Sequence, residues 1–560
     1  MLGRPSRKGA LRFWVAALCG LMALSFALAM TRVYQVDEAQ TVYMATVLAK
    51  GWTGSLFTSG QLHLYPLSLL ARIGSSSATT FLVFRACFWA LFWVNAALAV
   101  RASGLRVRSS QGVKGLVLMG TLAPWWGYAL ECRHDNILIT GLLVLWILAR
   151  RTRMDRDRVF LGLGFVSLLL HACLFKAIAL WAPLAVLWVY LEPGGWGTRA
   201  RRAGAWFLGA AGGYLACQAF KALVGNPSLA GNGQGALQVA ASAERFAPWN
   251  TLRMLLGTSP LLVAAMGGLL LLGAMQLRRR GLRGAWEAEA GFPEILLFVV
   301  CAFAFFVNPT PFPYNLAVLT TGAMVALLAL GRPWFEPGAF NAVRGLPFLI
   351  SSGLLLHLTP WTLRVAELFS LTNERQEEIM AMTEAFTGPE DPVFDGIGMV
   401  PTRRAPTYEW VINWANQGRF REHPLFAGLG DQVPPVVLPS YRLGYLPPSD
   451  RAFLSANYLL LHKDFWVLGA SPRASAEPGT WTCLRSGRYA LIPIRPNPGP
   501  VTLDGKPLPR GITWIAKGPH QLAMDPAAPS ALSWVGPTAQ TPPTPGNDGA
   551  PSLCPVPGGF

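Results

Sequence analysis

Two short stretches of this chain hold residue types that can move a group between oxygens. Asp37-Glu38 follows the first membrane-length apolar run by a few residues, and Glu131-Cys132-Arg133-His134-Asp135-Asn136 compresses two acids and two bases into a tight turn. A carboxylate can take the proton of an acceptor hydroxyl as its oxygen attacks an anomeric carbon. Lys, Arg or His can neutralise the charge that develops on a departing phosphate. His63, Arg85 and Lys176 are the further side chains suited to that second task. A lipid tail on the donor would explain a site at a membrane boundary, and an activated donor removes the need for ATP outside the cell.

The elements that must hold these residues are membrane spans. Of 560 residues 52% are hydrophobic and only 14% charged, so lipid is the main solvent of the chain. The formal charge of +18 does not indicate nucleic acid, because the basic residues fall in short clusters between apolar runs. With roughly 20 residues as the spanning length, spans are expected at about 11–30, 79–100, 115–131, 136–150, 159–174, 176–191, 204–224, 253–277, 293–308, 314–331 and 344–362, about eleven in all. Clusters such as Arg4/Arg7/Lys8, Arg150/Arg151/Arg153 and Arg278/Arg279/Arg280 make every second loop basic. The positive-inside rule then puts the N-terminus in the cytoplasm and the C-terminus outside. Ala27-Leu28-Ala29 imitates a signal-peptidase site, but the apolar run before it is longer than a usual signal segment, so the first helix is expected to stay.

That topology sorts the acids. Asp155, Asp157, Glu192, Glu287, Glu289, Glu294 and Glu336 fall in or beside basic cytoplasmic loops, leaving Asp37, Glu38, Glu131, Asp135 and Glu244 for the outer face. A carboxylate beside hydrocarbon persists where it is solvated, paired or used.

The order Val36-Asp37-Glu38-Ala39, Leu62-His63-Leu64-Tyr65-Pro66-Leu67, Phe84-Arg85, Glu131-Cys132-Arg133-His134-Asp135 and Phe175-Lys176-Ala177, in register with the topology, resembles the GT-C glycosyltransferases that use polyprenyl-phosphate sugars. It is most similar to the protein O-mannosyltransferases and the lipid A aminoarabinose transferases, over roughly residues 10 to 330. The resemblance implies a polytopic α-helical GT-C fold in the inner (plasma) membrane. It also implies a polyprenyl-phosphate-linked sugar donor, a lipid, protein or glycan acceptor, and transfer with inversion. Asp37 matches the catalytic carboxylate, with Glu38 supporting it or binding acceptor. Arg133 and Asp135 match an R-x-D element that lines the cavity, Arg85 falls where relatives keep an arginine, and Lys176 matches a lysine that meets the donor phosphate. The family's proline pair is replaced here by His63-Leu64-Tyr65-Pro66, in which His63 stands where relatives have a His or Lys. Of Asn308-Pro309-Thr310-Pro311-Phe312-Pro313-Tyr314 only Tyr314 matches the family's paired tyrosines.

Each residue also has a purely structural use. Asp37-Glu38 can cap a helix beginning near Ala39, Arg133 and Asp135 can close a turn as an ion pair, Arg85 can pair with Asp135 or Glu131, and Lys176 can snorkel. A divalent cation could find oxygen ligands in Asp37, Glu38, Glu131 and Asp135. The arginine between the last two favours charge pairing instead, so no essential metal is expected. A transporter or flippase for a lipid-linked or small polar substrate is the main rival reading. It would carry charges in mid-span and an internal repeat, whereas the acids here lie in loops.

The domains expected are a membrane catalytic domain over 1–364, a soluble outer domain over 365–525 and a disordered Pro/Ala/Gly-rich tail over 526–560. Runs at 457–461, 465–468 and 487–492, with a hairpin turn at Asp504-Gly505, point to a mixed or mostly β outer domain. The glycine-rich stretch at about 225–252 reads as a mobile outer loop. Cys483 and Cys554 are the cysteines able to pair in an oxidising compartment.

Overall fold

The computed structural model describes residues 7–52, 62–151, 155–174, 177–191, 193–224, 248–287, 291–308, 313–332, 346–407, 423–426, 428–462, 464–470, 479–493, 499–525 and 530–537. The chain divides into two compact units that interleave in sequence. The first comprises Met1–Arg32, Phe57–Tyr65 and Phe84–Leu371, and the second Val33–Leu56, Pro66–Val83 and Thr372–Phe560.

Most helices run through the first unit: α1 Arg7–Thr31, α2 Val36–Lys50, α3 Leu64–Ala71, α4 Ser77–Ala102, α5 Ser110–Gly120, α6 Ala123–Tyr128, α7 His134–Arg151, α8 Arg156–Cys173, α9 Ile178–Leu191, α10 Trp196–Val224, α11 Pro248–Thr258, α12 Pro260–Glu287, α13 Phe292–Val307, α14 Leu316–Leu330 and α15 Leu346–Ser370. Of these, α2 and parts of α3 and α4 belong to the second unit. Among the described residues four segments are long and apolar enough to cross a membrane: Leu11–Thr31, Ser77–Ala102, Pro260–Glu287 and Pro313–Leu330. Large apolar side chains such as Val186, Phe207, Leu208, Leu215 and Leu271 are exposed on the helix surfaces, as expected of faces turned to lipid. Helices α8 and α10 touch backbone to backbone. A Cβ on Gly164 would lie 1.9 Å from the Trp206 carbonyl oxygen, and one on Gly209 1.9 Å from that of Leu161.

Two expected spans are interrupted. The run at 115–131 is divided between α5 and α6, because Pro124 has no N–H to continue a helix and sits in the first turn of the second piece. The Trp126 indole donates to the carbonyl of Gly120, the last residue of α5. The run at 253–277 is likewise broken at Ser259, before Pro260.

Among the described residues the second unit adds α16 Glu374–Phe386, α17 Pro448–Asn457 and eleven strands: β1 Val393–Phe394, β2 Val436–Val437, β3 Tyr458–His462, β4 Phe465–Ala470, β5 Gly479–Cys483, β6 Gly487–Pro493, β7 Val501–Leu503, β8 Lys506–Pro507, β9 Ile512–Ile515, β10 Gly518–Met524 and β11 Ser530–Trp534. One sheet runs β1-β2-β4-β11-β6-β9, with β3 also on β4, and the other runs β5-β10-β7-β8. The expected runs at 457–461, 465–468 and 487–492 correspond to β3, β4 and β6. Asp504 and Gly505, both at positive φ (51° and 76°), make the hairpin between β7 and β8.

The tail expected from 526 is corrected at its start. Ser530–Trp534 is a fully buried strand inserted between β4 and β6, and its small residues had blended with the Pro/Ala composition around them. Among the described residues Cys483 has no disulfide partner; it is buried and its Sγ donates to the Arg485 carbonyl, while Cys554 and most of the 225–252 loop lie outside the described residues.

The hairpin carries a titratable lock. His520 Nδ1 lies 2.8 Å from Asp504 Oδ2 and Nε2 lies 2.8 Å from the Ala516 carbonyl oxygen, and Asp504 Oδ1 accepts from the Gln521 N–H. Both ring nitrogens can donate at once only when the imidazole is protonated. The Asp504 hydrogen bond accordingly holds the His520 pKa above its ordinary value, and the same bond lowers that of Asp504. The His520 contribution to stability is full below its unfolded pKa of about 6.5 and is lost as pH rises through the higher folded value. The Asp504 contribution is lost in acid. Thermal unfolding of the full chain is therefore expected to fall more between pH about 5.5 and about 8.5 in the wild type than in His520→Ala. Equal slopes would contradict the lock.

Candidate active site

The first unit concentrates buried charge where α1 ends, α6 ends and α7 begins. Arg32 follows α1 directly, and its Nη1 donates to the carbonyls of Trp126 (3.1 Å) and Gly127 (3.2 Å). Those carbonyls belong to the last turn of α6, where helix ends leave acceptors unsatisfied and favour a cation. The other end of the same guanidinium pairs with Glu131 Oε1. The second Glu131 oxygen accepts from Arg133 Nη1 at 3.2 Å, so one carboxylate joins two arginines.

Arg133 extends the network. Its Nε lies 3.7 Å from Asp135 Oδ2, and its guanidinium lies over the Tyr314 ring, 3.7 Å from the centroid. His134 Nε2 lies 3.6 Å from the same Asp135 oxygen, and the His134 and His63 rings are 6.0 Å apart. Arg85, on α4, donates to the Arg32 carbonyl. The turn itself is held by the Arg133 N–H on the Glu131 carbonyl (2.8 Å) and by Asn136 Nδ2 on the same oxygen (2.8 Å). Asn95 of α4 fastens the start of α7 through the Asn136 carbonyl at 3.0 Å.

Arg32, Arg85, Glu131, Arg133 and Asp135 are all at most 5% exposed. Three guanidiniums and two carboxylates thus share one buried junction, joined through Glu131 and the Arg32 carbonyl. Guanidiniums gathered in one buried place are the donors best suited to the oxygens of a phosphate. Both oxygens of Glu131 are taken by guanidiniums, and among the described residues no group of three His, Cys, Asp or Glu side chains is arranged for a metal ion.

His63 joins this end without adding charge. Its Nδ1–H donates to the Cys173 carbonyl at 3.1 Å, and burial, followed by the neighbouring His134, pushes its pKa down to about 3. It therefore offers a hydrogen bond and packing. Cys173 lies three residues before Lys176, which is itself outside the described residues.

Asp37 and Glu38 belong to the second unit, in the first turn of α2. Glu38 is fully buried and its Oε2 accepts from the Gln35 N–H at 3.3 Å, so it caps its own helix. Asp37, the preceding residue, is half-buried, and its carbonyl accepts from the Thr41 hydroxyl at 2.9 Å.

The structure thus brings Arg133, Asp135 and Tyr314 together, links Arg85 to them through Arg32, and sets His63 beside His134. Arg32 was missed by the sequence reading. The signal was there, since it is a lone cation at the end of a span whose basic residues all lie at its start, five positions before Asp37.

Removing Glu131 would leave Arg32 and Arg133 buried without their shared counter-charge. Glu131→Ala is expected to destabilise the purified full chain by about 3–5 kcal/mol, read as an early unfolding transition in detergent. Arg375→Ala, which breaks the exposed pair with Glu378, should cost about 1 kcal/mol or less. Similar losses from the two substitutions would contradict the role given to Glu131.

No family model and no curated protein matches this sequence. Among solved structures it is similar to ArnT from Cupriavidus metallidurans bound to undecaprenyl phosphate, with a TM-score of 0.50 at 12% identity, over 84% of this chain and 100% of that one. At that identity the likeness is one of fold: apolar helices with a C-terminal β domain.

Proposed function

We propose that this protein is a membrane glycosyltransferase that moves a sugar from a polyprenyl-phosphate donor to a hydroxyl acceptor on the extracytoplasmic side. The observation that carries the reading is the buried, arginine-rich cluster of Arg32, Arg85, Arg133, Glu131 and Asp135 at one end of the helices. It joins a fold shared with a protein whose structure holds undecaprenyl phosphate.

In this reading the donor phosphate meets the guanidiniums, with Lys176 as a further cation. Tyr314 fixes the plane of Arg133, Asp135 holds its Nε side, and His63 packs beside them as a neutral donor. The acceptor hydroxyl oxygen attacks the anomeric carbon and forms the new glycosidic bond while the bond from that carbon to the phosphate oxygen breaks. The hydroxyl proton passes to the Asp37 carboxylate, and the polyprenyl phosphate leaves with the bonding electrons, its added charge matched by arginine. Attack opposite the leaving group inverts the anomeric centre. Glu38, already used as a cap, keeps Asp37 on the first turn of α2 and takes no proton.

The test is transfer of labelled sugar from a membrane lipid fraction by purified, folded protein. Asp37→Asn is expected to lower turnover by about 10²-fold or more with donor binding retained. Undiminished turnover would move the proton transfer to another carboxylate. No transfer by the wild type from any polyprenyl-phosphate sugar would return the protein to the transporters.

A further inference from the structure

Three points along the segment that carries Asp37 are gripped by residues from the C-terminal half of the chain, all within the second unit. Tyr34 lies three positions before Asp37, in the short non-helical stretch between α1 and α2. Its backbone N–H donates to Gln376 Oε1 at 2.6 Å, and its carbonyl accepts from Gln376 Nε2 at 3.0 Å. One side-chain amide thus satisfies both backbone groups of a residue that has left one helix and not yet entered the next. The Tyr34 hydroxyl donates to Glu377 Oε1 at 2.7 Å and accepts from Asn373 Nδ2 at 3.0 Å, and its ring packs on Phe81 at 4.3 Å. Further along α2, the Tyr43 hydroxyl accepts from the Ala405 N–H at 2.6 Å, and Lys50 Nζ donates to the Thr402 carbonyl at 3.2 Å.

Tyr34 is fully buried and Gln376 is 2% exposed. A buried amide is an expensive way to join two segments, since apolar contact would hold them with no desolvation cost. What a two-pronged amide adds is register and orientation of the backbone it grips. The same α16 also holds the start of α4: Glu384 Oε1 accepts from the Ser77 N–H (2.7 Å), the Ser77 hydroxyl (2.7 Å) and the Thr402 hydroxyl (2.6 Å). A carboxylate at a helix N-terminus matches the helix dipole. One helix of the C-terminal half therefore sets the entry to both α2, which carries Asp37, and α4.

We propose that Gln376 is a positioning residue for the transfer reaction, acting through the Tyr34 backbone to aim the Asp37 carboxylate. The proposal rests on the assignment of Asp37 as the proton acceptor. The C-terminal half then has a duty in catalysis without touching substrate: it fixes the path of the segment leading into the first turn of α2, which carries the base. Small errors in the placement of a reacting group are costly, with about 1 Å worth up to about a hundredfold in rate.

The test compares Gln376→Leu, Tyr34→Phe and Asp37→Asn in the purified full chain, using radiolabelled polyprenyl-phosphate sugar and hydrogen exchange of the peptide covering residues 33–38. Gln376→Leu is expected to speed exchange in that peptide and lower kcat by about ten- to a hundredfold with donor KM unchanged, and to add little to the loss already caused by Asp37→Asn. Tyr34→Phe keeps the backbone grip and is expected to keep kcat within about twofold, which separates the clamp from general loosening of the unit. Unchanged exchange, or faster exchange with wild-type kcat, in Gln376→Leu overturns the positioning role alone. Wild-type turnover in Asp37→Asn overturns the assignment of Asp37, and the positioning role with it, whatever the exchange data give.

Discussion

Glu131 holds Arg32 on one carboxylate oxygen and Arg133 on the other, in a place almost closed to solvent. An unpaired charge there would be prohibitive, so the pairings dictate where three backbone pieces lie. Arg32 fixes the end of α1 by reaching the last carbonyls of α6, and Glu131 fixes the turn that opens α7. Arg133 reaches the Tyr314 ring just before α14. Arg85 ties α4 to the same junction through the Arg32 carbonyl. The bundle end is thus assembled by charge, whereas its middle is assembled by Leu, Trp and Ala packing around α7 and α14.

A second ionic junction lies at the far end of α7. Arg151 pairs with Glu294 at 2.6 Å, and Glu294 caps the start of α13 through the Gly291 N–H. The 18 residues of α7 span about 27 Å, close to the thickness of a hydrocarbon core. The two junctions therefore bracket an apolar slab. They differ in kind: the Arg151 pair is one cation on one anion, while the other end gathers three buried arginines and a half-exposed histidine.

Apolar run length made the helical, membrane-embedded class legible, because span length is written locally. The β runs after residue 457 were legible for the same reason, through β-rich segments and an Asp-Gly turn. What could not be read depended on partners distant in sequence. Nothing local in Ser530–Trp534 announces a central strand, since its burial is conferred by β4 and β6. Arg32 looked like the edge of a span until Glu131, 99 positions away, gave it a partner. Pro124 carried the signal for a broken helix, and hydropathy averaging over the run concealed it. Glu38 was foreseen both as a cap and as a supporting acid, and its contact with Gln35 is that of a cap.

The central claim is that the buried guanidinium cluster receives the phosphate of a polyprenyl carrier, and its most direct test is binding of undecaprenyl phosphate against undecaprenol to the purified full chain, measured by native mass spectrometry. The account predicts that the phosphorylated lipid binds and the alcohol does not compete, and that Arg133→Gln weakens retention of the phosphate form. Equal retention of the two lipids, or an unchanged preference in Arg133→Gln, would contradict it.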